Sequence, residues 1–467
     1  MKSPCLCLVF SVVGSSLCGA QEPPMAGNWQ LAQLSVENRG VGDERIPDEI
    51  SAELSPVNFL ADGTFATGAE SGRWFFSDNY LLAVQPGNVG VVAANTTGDT
   101  FIFAEADFED LGGGDFTQKT TFNVGVKSPT TSLTATQVVG DWVYFQQEVD
   151  SIDSPSGGGT VRTWDGVSHQ RIDVTFNANG TFTAEKVSDT DDPSEVGDLF
   201  GGTWTISGGD LEADAGGEVI TLSHFSSGGD LLVATEEESY EVFEETFNSS
   251  KMDLWVKQPE TLTTADLVGV WAIAGTTIDL EVDAGGGGQY LDDIGFEESE
   301  LDFRADGTGT RRVVDNREPA AIGLTEDFTW SLVGNEVELV VEGQAYRFVM
   351  SAEKDFAAMQ NFESNLGEES ESFDYFAMVR LPDVAGFGRA PLDLVLIEEE
   401  NGARPVLQTP TVQGVRYQVE MSEDLDDWQS LGPIMAGTGD VIFSNLPALP
   451  GEKTYFRWRI LPPAPQG

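Results

Sequence analysis

Histidine and cysteine, the side chains that most often carry catalysis or bind transition metals, are scarce in this chain of 467 residues. Only His169 and His224 are present, and the three cysteines all lie within the first 18 residues. Structural zinc sites and histidine-activated nucleophiles need several such groups together. No nucleophile elbow, phosphate loop or dinucleotide fingerprint occurs in a strand–helix context. The sequence therefore argues against an enzyme.

Acidic residues are abundant, with 78 Asp and Glu against 24 Lys and Arg and a net charge of −54. This balance excludes a nucleic-acid binder that works by phosphate neutralisation. A glycosidase-like carboxylate pair stays open but carries no information, because some pair is always plausible among 78 acidic residues. No acidic residue is found to recur in all three cycles at an identifiable site. Some of the acidic residues could instead bind calcium, and the candidate segments are 189–192 and 279–293, although neither fits an EF-hand. We otherwise expect no cofactor and a solvated acidic surface.

The residues that recur are aromatic and basic. Three Gly-x-Trp motifs place Trp29, Trp142 and Trp271 at intervals of 113 and 129 residues. Each cycle closes on Val-Lys/Arg-x-Pro, which supplies Lys127, Lys257 and Arg380. A basic side chain lying across an indole would form a cation–π contact. A period this long indicates an array of whole domains rather than a solenoid.

Strand and turn signals must position these side chains. Asp62-Gly63, Asn179-Gly180 and Asp306-Gly307 recur at the same place in each cycle and predict type I′ hairpin turns. The alternation over 329–341 predicts another hairpin. Segment 355–365 has apolar residues at helical spacing and is the best candidate for a short helix.

Gly-x-Trp, a preceding Leu-Thr turn and a terminal basic residue together resemble the lipocalin-like (calycin) β-barrel, in three copies over residues 25–382. The resemblance implies three antiparallel up-and-down barrels of eight strands, each closed at one end by a structural plug. The implied plug pairs are Trp29 with Lys127, Trp142 with Lys257, and Trp271 with Arg380. The second tryptophan of each cycle (Trp74, Trp204, Trp330) is a candidate for lining the cup. The chain lacks the disulfide of secreted lipocalins and shows no clear Thr-Asp-Tyr.

The chain divides into five predicted segments. Residues 1–20 read as a signal peptide cleaved near Ala20, which indicates a secreted protein, periplasmic or extracellular. Leu17 is too large to precede a lipidated cysteine, and no segment is long enough for membrane insertion. Repeats follow at 21–130, 131–260 and 261–383. Residues 384–467 alternate with period two and resemble a fibronectin type III β-sandwich of secreted bacterial proteins.

Two functions remain open. The family resemblance implies a non-catalytic protein that binds small apolar or amphipathic ligands in its cups. The alternative is an extracellular structural or adhesive scaffold, with filled barrels and a surface or matrix partner. An eight-stranded barrel is just wide enough for either, so the lining of each barrel decides between them.

Overall fold

The computed structural model describes residues 25–381, apart from gaps at 42–43, 62, 69, 78–79, 86–87, 96, 113–114, 157–158, 283–288, 317–320, 322 and 366–369, together with six strands between 393 and 461. The predicted signal peptide lies outside the described residues. The fold is all-β, as predicted, with three eight-stranded antiparallel units and two small C-terminal sheets.

The first barrel is closed, and its strands follow one another in chain order. Its strands are β1 (Gly27–Val41), β2 (Glu44–Phe59), β3 (Thr64–Thr67), β4 (Glu70–Ser77), β5 (Tyr80–Gln85), β6 (Asn88–Ala94), β7 (Thr100–Gly112) and β8 (Asp115–Lys127). The up-and-down order is confirmed. Strands β1, β2, β7 and β8 are long and β3 to β6 are short, so one half of the barrel extends past the other.

The second unit begins with a one-turn helix, α1 (Ala135–Val138), capped by Thr134, whose main-chain and side-chain donors both reach Gln137 Oε1. Its strands are β9 (Gly140–Ser156), β10 (Gly159–Phe176), β11 (Thr181–Asp189), β12 (Leu199–Ser207), β13 (Asp210–Ala215), β14 (Glu218–Leu222), β15 (Leu231–Val242) and β16 (Glu245–Lys257). A 3-10 turn lies at Pro193–Glu195. The sheet curls until β15 meets the segment that follows β14, at an isolated bridge between Phe225 and Leu232.

The third unit repeats this plan as a closed barrel, introduced by helix α2 (Thr264–Leu267). Its strands are β17 (Gly269–Val282), β18 (Gln289–Phe303), β19 (Thr308–Asn316), β20 (Thr325–Val333), β21 (Glu336–Val341), β22 (Gln344–Met350), β23 (Phe356–Asn365) and β24 (Ser370–Arg380). The hairpin predicted over 329–341 is confirmed, with Trp330 opposite Leu339 across β20 and β21.

The short helix predicted over 355–365 is wrong, since this segment is strand β23. Phe356 and Ala358 enter the core between the barrels, whereas Ala357 and Met359 enter the interior of the third barrel. A strand buried on both faces loses the alternation that distinguishes it from a helix.

The turns after β10 and β18 also differ from the type I′ prediction, whereas residue 62 in the turn after β2 lies outside the described residues. Gly180 and Gly307 have φ near +82°, but neither Asn179 nor Asp306 has a positive φ. Instead, Gly180 N donates to Asn177 O, and the Asn179 side chain accepts from both donors of Thr181. This is a three-residue loop in which only glycine needs the left-handed conformation.

The C-terminal segment forms two three-stranded antiparallel sheets. Their strands are β25 (Asp393–Glu399), β26 (Gly402–Pro410), β27 (Arg416–Ser422), β28 (Gln429–Ala436), β29 (Val441–Asn445) and β30 (Tyr455–Leu461). The orders are β25-β26-β29 and β28-β27-β30. Tyr417 and Val419 are buried on one face of β27, as the period-two pattern predicted. The fibronectin type III resemblance stays a prediction.

The largest apolar core lies between the three barrels rather than inside any of them. Strands β8, β16 and β24 carry its central layer, where Phe122, Met252 and Tyr375 are fully buried. Each of these residues is five positions before the basic residue that ends its cycle, so the three occupy equivalent sites. The barrels thus pack around a pseudo-threefold axis.

Each pair of barrels is also joined by a side-chain-to-backbone hydrogen bond. Ala52 N donates to Glu237 Oε1 over 3.1 Å, and Ala104 N donates to Glu298 Oε1 over 3.0 Å. Gln360 Nε2 donates to the carbonyl of Gln146 over 2.5 Å. In each contact the seventh strand of one barrel (β15, β7 or β23) meets the first or second strand of another (β2, β18 or β9). Followed from seventh strand to first or second strand, the contacts lead from the second barrel to the first, from the first to the third and from the third to the second, which is the closed head-to-tail arrangement of a ring.

Three equivalent loops, each just before the seventh strand of its barrel, meet at one end of this axis. Asn95 Nδ2 donates to Asp355 Oδ2 over 3.0 Å and Ser227 Oγ donates to Asp99 Oδ2 over 3.2 Å. The main-chain amide of Glu353 donates to Asp230 Oδ2 over 3.1 Å. Asp99, Asp230 and Asp355 therefore do recur in all three cycles, contrary to the expectation that no acidic residue does.

Candidate ligand-binding site

The first tryptophan of each cycle is buried and hydrogen-bonded to the segment just before its barrel. The indole Nε1 of Trp29, Trp142 and Trp271 donates to the carbonyl four residues earlier, at 2.8, 2.7 and 2.8 Å. In the second and third units that carbonyl belongs to the helix, at Val138 and Leu267. All three indoles are at most 2% exposed. These contacts support the predicted plug, which stays a prediction.

The predicted basic partners lie directly across the sheet. Trp29 pairs with Lys127, Trp142 with Lys257 and Trp271 with Arg380 in the strand register. Lys257 Nζ donates to Gln137 O over 2.6 Å, and Arg380 Nη2 donates to Val268 O over 2.8 Å. These two cations thus bind the free carbonyls at the helix ends.

The glycine of Gly-x-Trp makes room for that basic side chain. A Cβ on Gly27 would lie 2.8 Å from Lys127 Cε, and one on Gly140 would lie 3.1 Å from Lys257 Cε. Both glycines also have φ above +130°. The close approach that this glycine permits is therefore that of the basic side chain.

The second tryptophan of each cycle is held by the turn after the second strand. Trp74 Nε1 donates to Leu60 O, Trp204 Nε1 to Asn177 O and Trp330 Nε1 to Arg304 O, over 3.0, 3.0 and 3.2 Å. All three are at most 9% exposed. Trp330 is absent from the lining of the cavity in its barrel. A cup-lining role for these residues remains a prediction.

The third barrel contains a cavity of about 260 Å³. Its apolar wall includes Leu301, Leu339, Phe348 and Met359, all of which belong to the barrel's interior core. Polar lining side chains are Thr277, Glu297, Arg311, Glu326, Glu342, Gln344, Tyr346 and Asp374. Glu342 and Gln344 at the β21–β22 turn are exposed, so the cavity opens there. The site is a cup with an apolar wall and a polar mouth.

Arg311 is the single basic residue in this lining, and two carboxylates hold it. Its Nη1 lies 2.8 Å from Glu326 Oε2, and its Nε donates to Glu297 Oε1 over 2.9 Å. Arg311 faces Leu301 across β18 and β19, and Glu326 is its neighbour on β20. The guanidinium is therefore a bridge across three strands of the cup.

Asp374 and Tyr346 form the second polar group of the mouth. Asp374 accepts from Thr277 Oγ1 over 2.7 Å and from Asn361 Nδ2 over 3.2 Å, while burial raises the pKa of its carboxyl. Burial and the nearby Asp374 and Glu363 raise the pKa of Tyr346 to about 12. Tyr346 therefore stays neutral at physiological pH.

This chemistry is peculiar to the third barrel. The residues at the register position of Arg311 are Thr67 in the first barrel and Ala184 in the second. The pair equivalent to Thr277 and Asp374 is a hydroxyl pair in the first barrel, with Ser35 and Thr121 3.0 Å apart. In the second it is an ion pair, with Lys251 and Glu148 3.6 Å apart. Reasoning from recurrence overlooked Arg311 and Asp374 because they occur once.

The calcium candidate at 189–192 makes hydrogen bonds and an ion pair within its own segment and the neighbouring strand. Among the described residues, no three His, Cys, Asp or Glu side chains are arranged to hold a metal. Asp189 is engaged by Lys186 Nζ at 2.7 Å and by the amides of Asp191 and Asp192. Segment 279–293 lies partly outside the described residues. His169 packs between barrels against Phe373, with ring centroids 5.2 Å apart.

No helix in the described part of the chain has the length and apolar character to cross a membrane. No protein-family model matches the chain, and no curated protein matches it. One similar solved structure is a double mutant of the vaccine antigen transferrin binding protein B from Haemophilus parasuis Hp5. It shares 9% identity at a TM-score of 0.22, over 77% of this chain and 95% of that chain.

A second similar structure is intact Ap-TbpB, with its N and C lobes, at 9% identity and a TM-score of 0.21, over 76% of this chain and 95% of that one. Likeness at these scores carries no argument about fold or function. The tandem β-barrel architecture rests on the strand pairing of this chain alone.

Proposed function

We propose that this protein is a non-catalytic binding protein that holds one small amphipathic ligand in the cup of the third barrel. The cavity of about 260 Å³ carries the proposal. Ligand pockets usually measure about 300–1,000 Å³, so a small ligand is the appropriate size class. An apolar wall with a few convergent polar groups at one end is the usual composition of such sites.

The first barrel differs from the third at the mouth and not in its aromatic interior. Phe59 lies 5.9 Å from Trp29 by ring centroids, and the equivalent Phe303 lies 6.2 Å from Trp271. The register positions of Arg311 and Asp374 are occupied in the first barrel by Thr67 and Thr121, which carry no charge. We therefore propose a structural role for the first barrel.

The scaffold alternative is favoured by one observation, the shared core between the barrels. A core that joins three barrels into one ring gives a rigid body whose outer surface could bind an extracellular partner. We propose secretion for either function, on the basis of the predicted signal peptide and the acidic composition. Ligand binding by the third barrel would favour the binding protein, and its absence would favour the scaffold.

The experiment uses the secreted chain, residues 21–467, and the neutral fluorescent probe N-phenyl-1-naphthylamine. We expect enhanced emission from wild type and none from Val341→Trp, because Val341 lines the cavity. Val333→Trp is the matched control, since Val333 lies on β20 and is exposed. Absence of binding by wild type, or equal binding by Val341→Trp, would overturn the proposal in favour of the scaffold.

A further inference from the structure

We propose that the cup of the third barrel selects cationic amphiphiles, with an apolar tail in the barrel and an ammonium or guanidinium group at the mouth. This inference rests on the proposed function and adds the charge of the ligand. It follows from the lining of the cavity, in which apolar side chains and charged side chains surround the same space. Each step below concerns side chains of that lining.

The rim is rich in carboxylates. Glu297, Glu326, Glu342 and Asp374 line the cavity, against the single guanidinium of Arg311. Glu297 and Glu326 both contact Arg311, so that group of three already carries an excess negative charge. Glu342 and Asp374 add to this excess. A cation entering the mouth would therefore meet a negative field.

Arg311 is poorly available to an anionic ligand. Its Nε and Nη1 donate to Glu297 and Glu326, and its Nη2 also contacts Glu297. A carboxylate ligand would have to displace one of these partners and leave it unpaired in a partly buried site. Breaking such charge-assisted hydrogen bonds is costly. The arginine therefore positions two carboxylates instead of recognising a fatty acid.

Asp374 is a suitable counter-ion for the head group. It accepts from Thr277 and Asn361, yet burial still raises the pKa of its carboxyl. A ligand cation beside it would favour the ionised form and gain an ion pair in a partly desolvated site. Tyr346 and Phe376 also line the cavity, and aromatic faces attract ammonium groups.

Three ligands of equal chain length test the inference by isothermal titration calorimetry: octylammonium, octanol and octanoate. We expect octylammonium to bind about tenfold or more tightly than octanoate, as one or two partly buried ion pairs allow. Octanol should bind with intermediate affinity. If octanol binds and octylammonium binds no better than octanoate, the charge inference fails while the proposed function stands. If none binds, both fail.

The strongly acidic chain could attract any cation, so a matched pair of variants isolates the cup. Glu326→Gln should weaken octylammonium binding, strengthen octanoate binding and leave octanol binding unchanged, because it removes one of the two negative charges that neutralise Arg311. Glu241→Gln removes the same charge from an exposed position on β15 and should change none of the three. Equal effects of the two substitutions would show that the preference comes from net charge and would overturn the inference.

Discussion

Phe122 of the first barrel and Tyr375 of the third pack edge to face across the pseudo-threefold axis, with ring centroids 5.5 Å apart. Both are fully buried, and each lies five residues before the basic residue of its cycle. Equivalent positions on the outer faces of two barrels thus form one contact. The strands that end in the basic residues of the predicted plug also contribute to the core between the barrels.

Phe122→Ala should destabilise the protein by about 3–5 kcal/mol, as truncation of a large aromatic core residue does. The measurement is urea-induced unfolding followed by circular dichroism. Phe243→Ala is the control, because Phe243 is 96% exposed and should change the free energy of unfolding by less than about 0.5 kcal/mol. Equal effects of the two changes would mean that the barrels share no core.

Trp142→Ala tests the plug of the second unit and should also cost about 3–5 kcal/mol. A smaller loss of about 1–2 kcal/mol is expected for Lys257→Met, which keeps the aliphatic stem but removes the hydrogen bonds to Thr136 O and Gln137 O. Both follow from unfolding in urea. A change below about 0.5 kcal/mol for Trp142→Ala would contradict a structural plug.

The sequence predicted the barrels because their signals recur at fixed places and stem from local geometry. The contacts between barrels carry no such signal: the equivalent residues are Phe122, Met252 and Tyr375, which share burial but not type. Burial of β23 on both faces likewise erased its period-two pattern. The repeats therefore predicted the individual barrels but not how the barrels pack against one another.

The recurrent aspartates show a second limit. Asp99, Asp230 and Asp355 lie 28, 27 and 25 residues before the basic residue that ends each cycle. This drift in spacing conceals the recurrence unless the strands after them are aligned. The polar residues of the cup were missed for the opposite reason, because Arg311 and Asp374 have no counterpart in the other two cycles. A comparison of inward-facing positions among the three cycles could have found them.

Stability should fall as the pH rises from about 5 to 8. Burial raises the pKa of Glu298 to about 8, so the folded state retains a proton that the unfolded chain releases above pH 4.5. The stabilisation by this proton is complete below pH 4.5 and is lost as the pH rises to the folded value. Each such group costs about 1.36 kcal/mol per pH unit between its two pKa values.

Glu298→Gln isolates this effect, because the amide oxygen can still accept from Ala104 N. We expect a shallower decline in the free energy of urea unfolding between pH 6 and 8 than in wild type. Glu241→Gln, on the exposed part of β15, should leave the slope unchanged. Parallel slopes for wild type and Glu298→Gln would show that this carboxyl is already ionised in the folded protein.

His169 should act in the opposite direction at lower pH. Burial lowers its pKa to about 3. Between pH 3 and 6.5 the side chain is therefore protonated in the unfolded chain and neutral in the folded protein. The stabilisation is complete above pH 6.5 and is lost as the pH falls. His169→Phe keeps a ring against Phe373 and Tyr375 and removes this loss.

Relative to wild type, His169→Phe should therefore gain about 1.36 kcal/mol per pH unit between pH 6 and 4, and the two should differ by a constant amount above pH 7. His224→Gln is the control for a half-buried histidine and should give a smaller change. The buried carboxyls stabilise the folded protein increasingly as the pH falls over the same range. The effect of His169 is therefore measured by the difference in free energy of unfolding between the variant and wild type. A difference that does not vary with pH would mean that His169 has the same pKa in the folded and unfolded protein. The folded protein would then accommodate the protonated imidazole, with a hydrogen-bond acceptor or a carboxylate beside it.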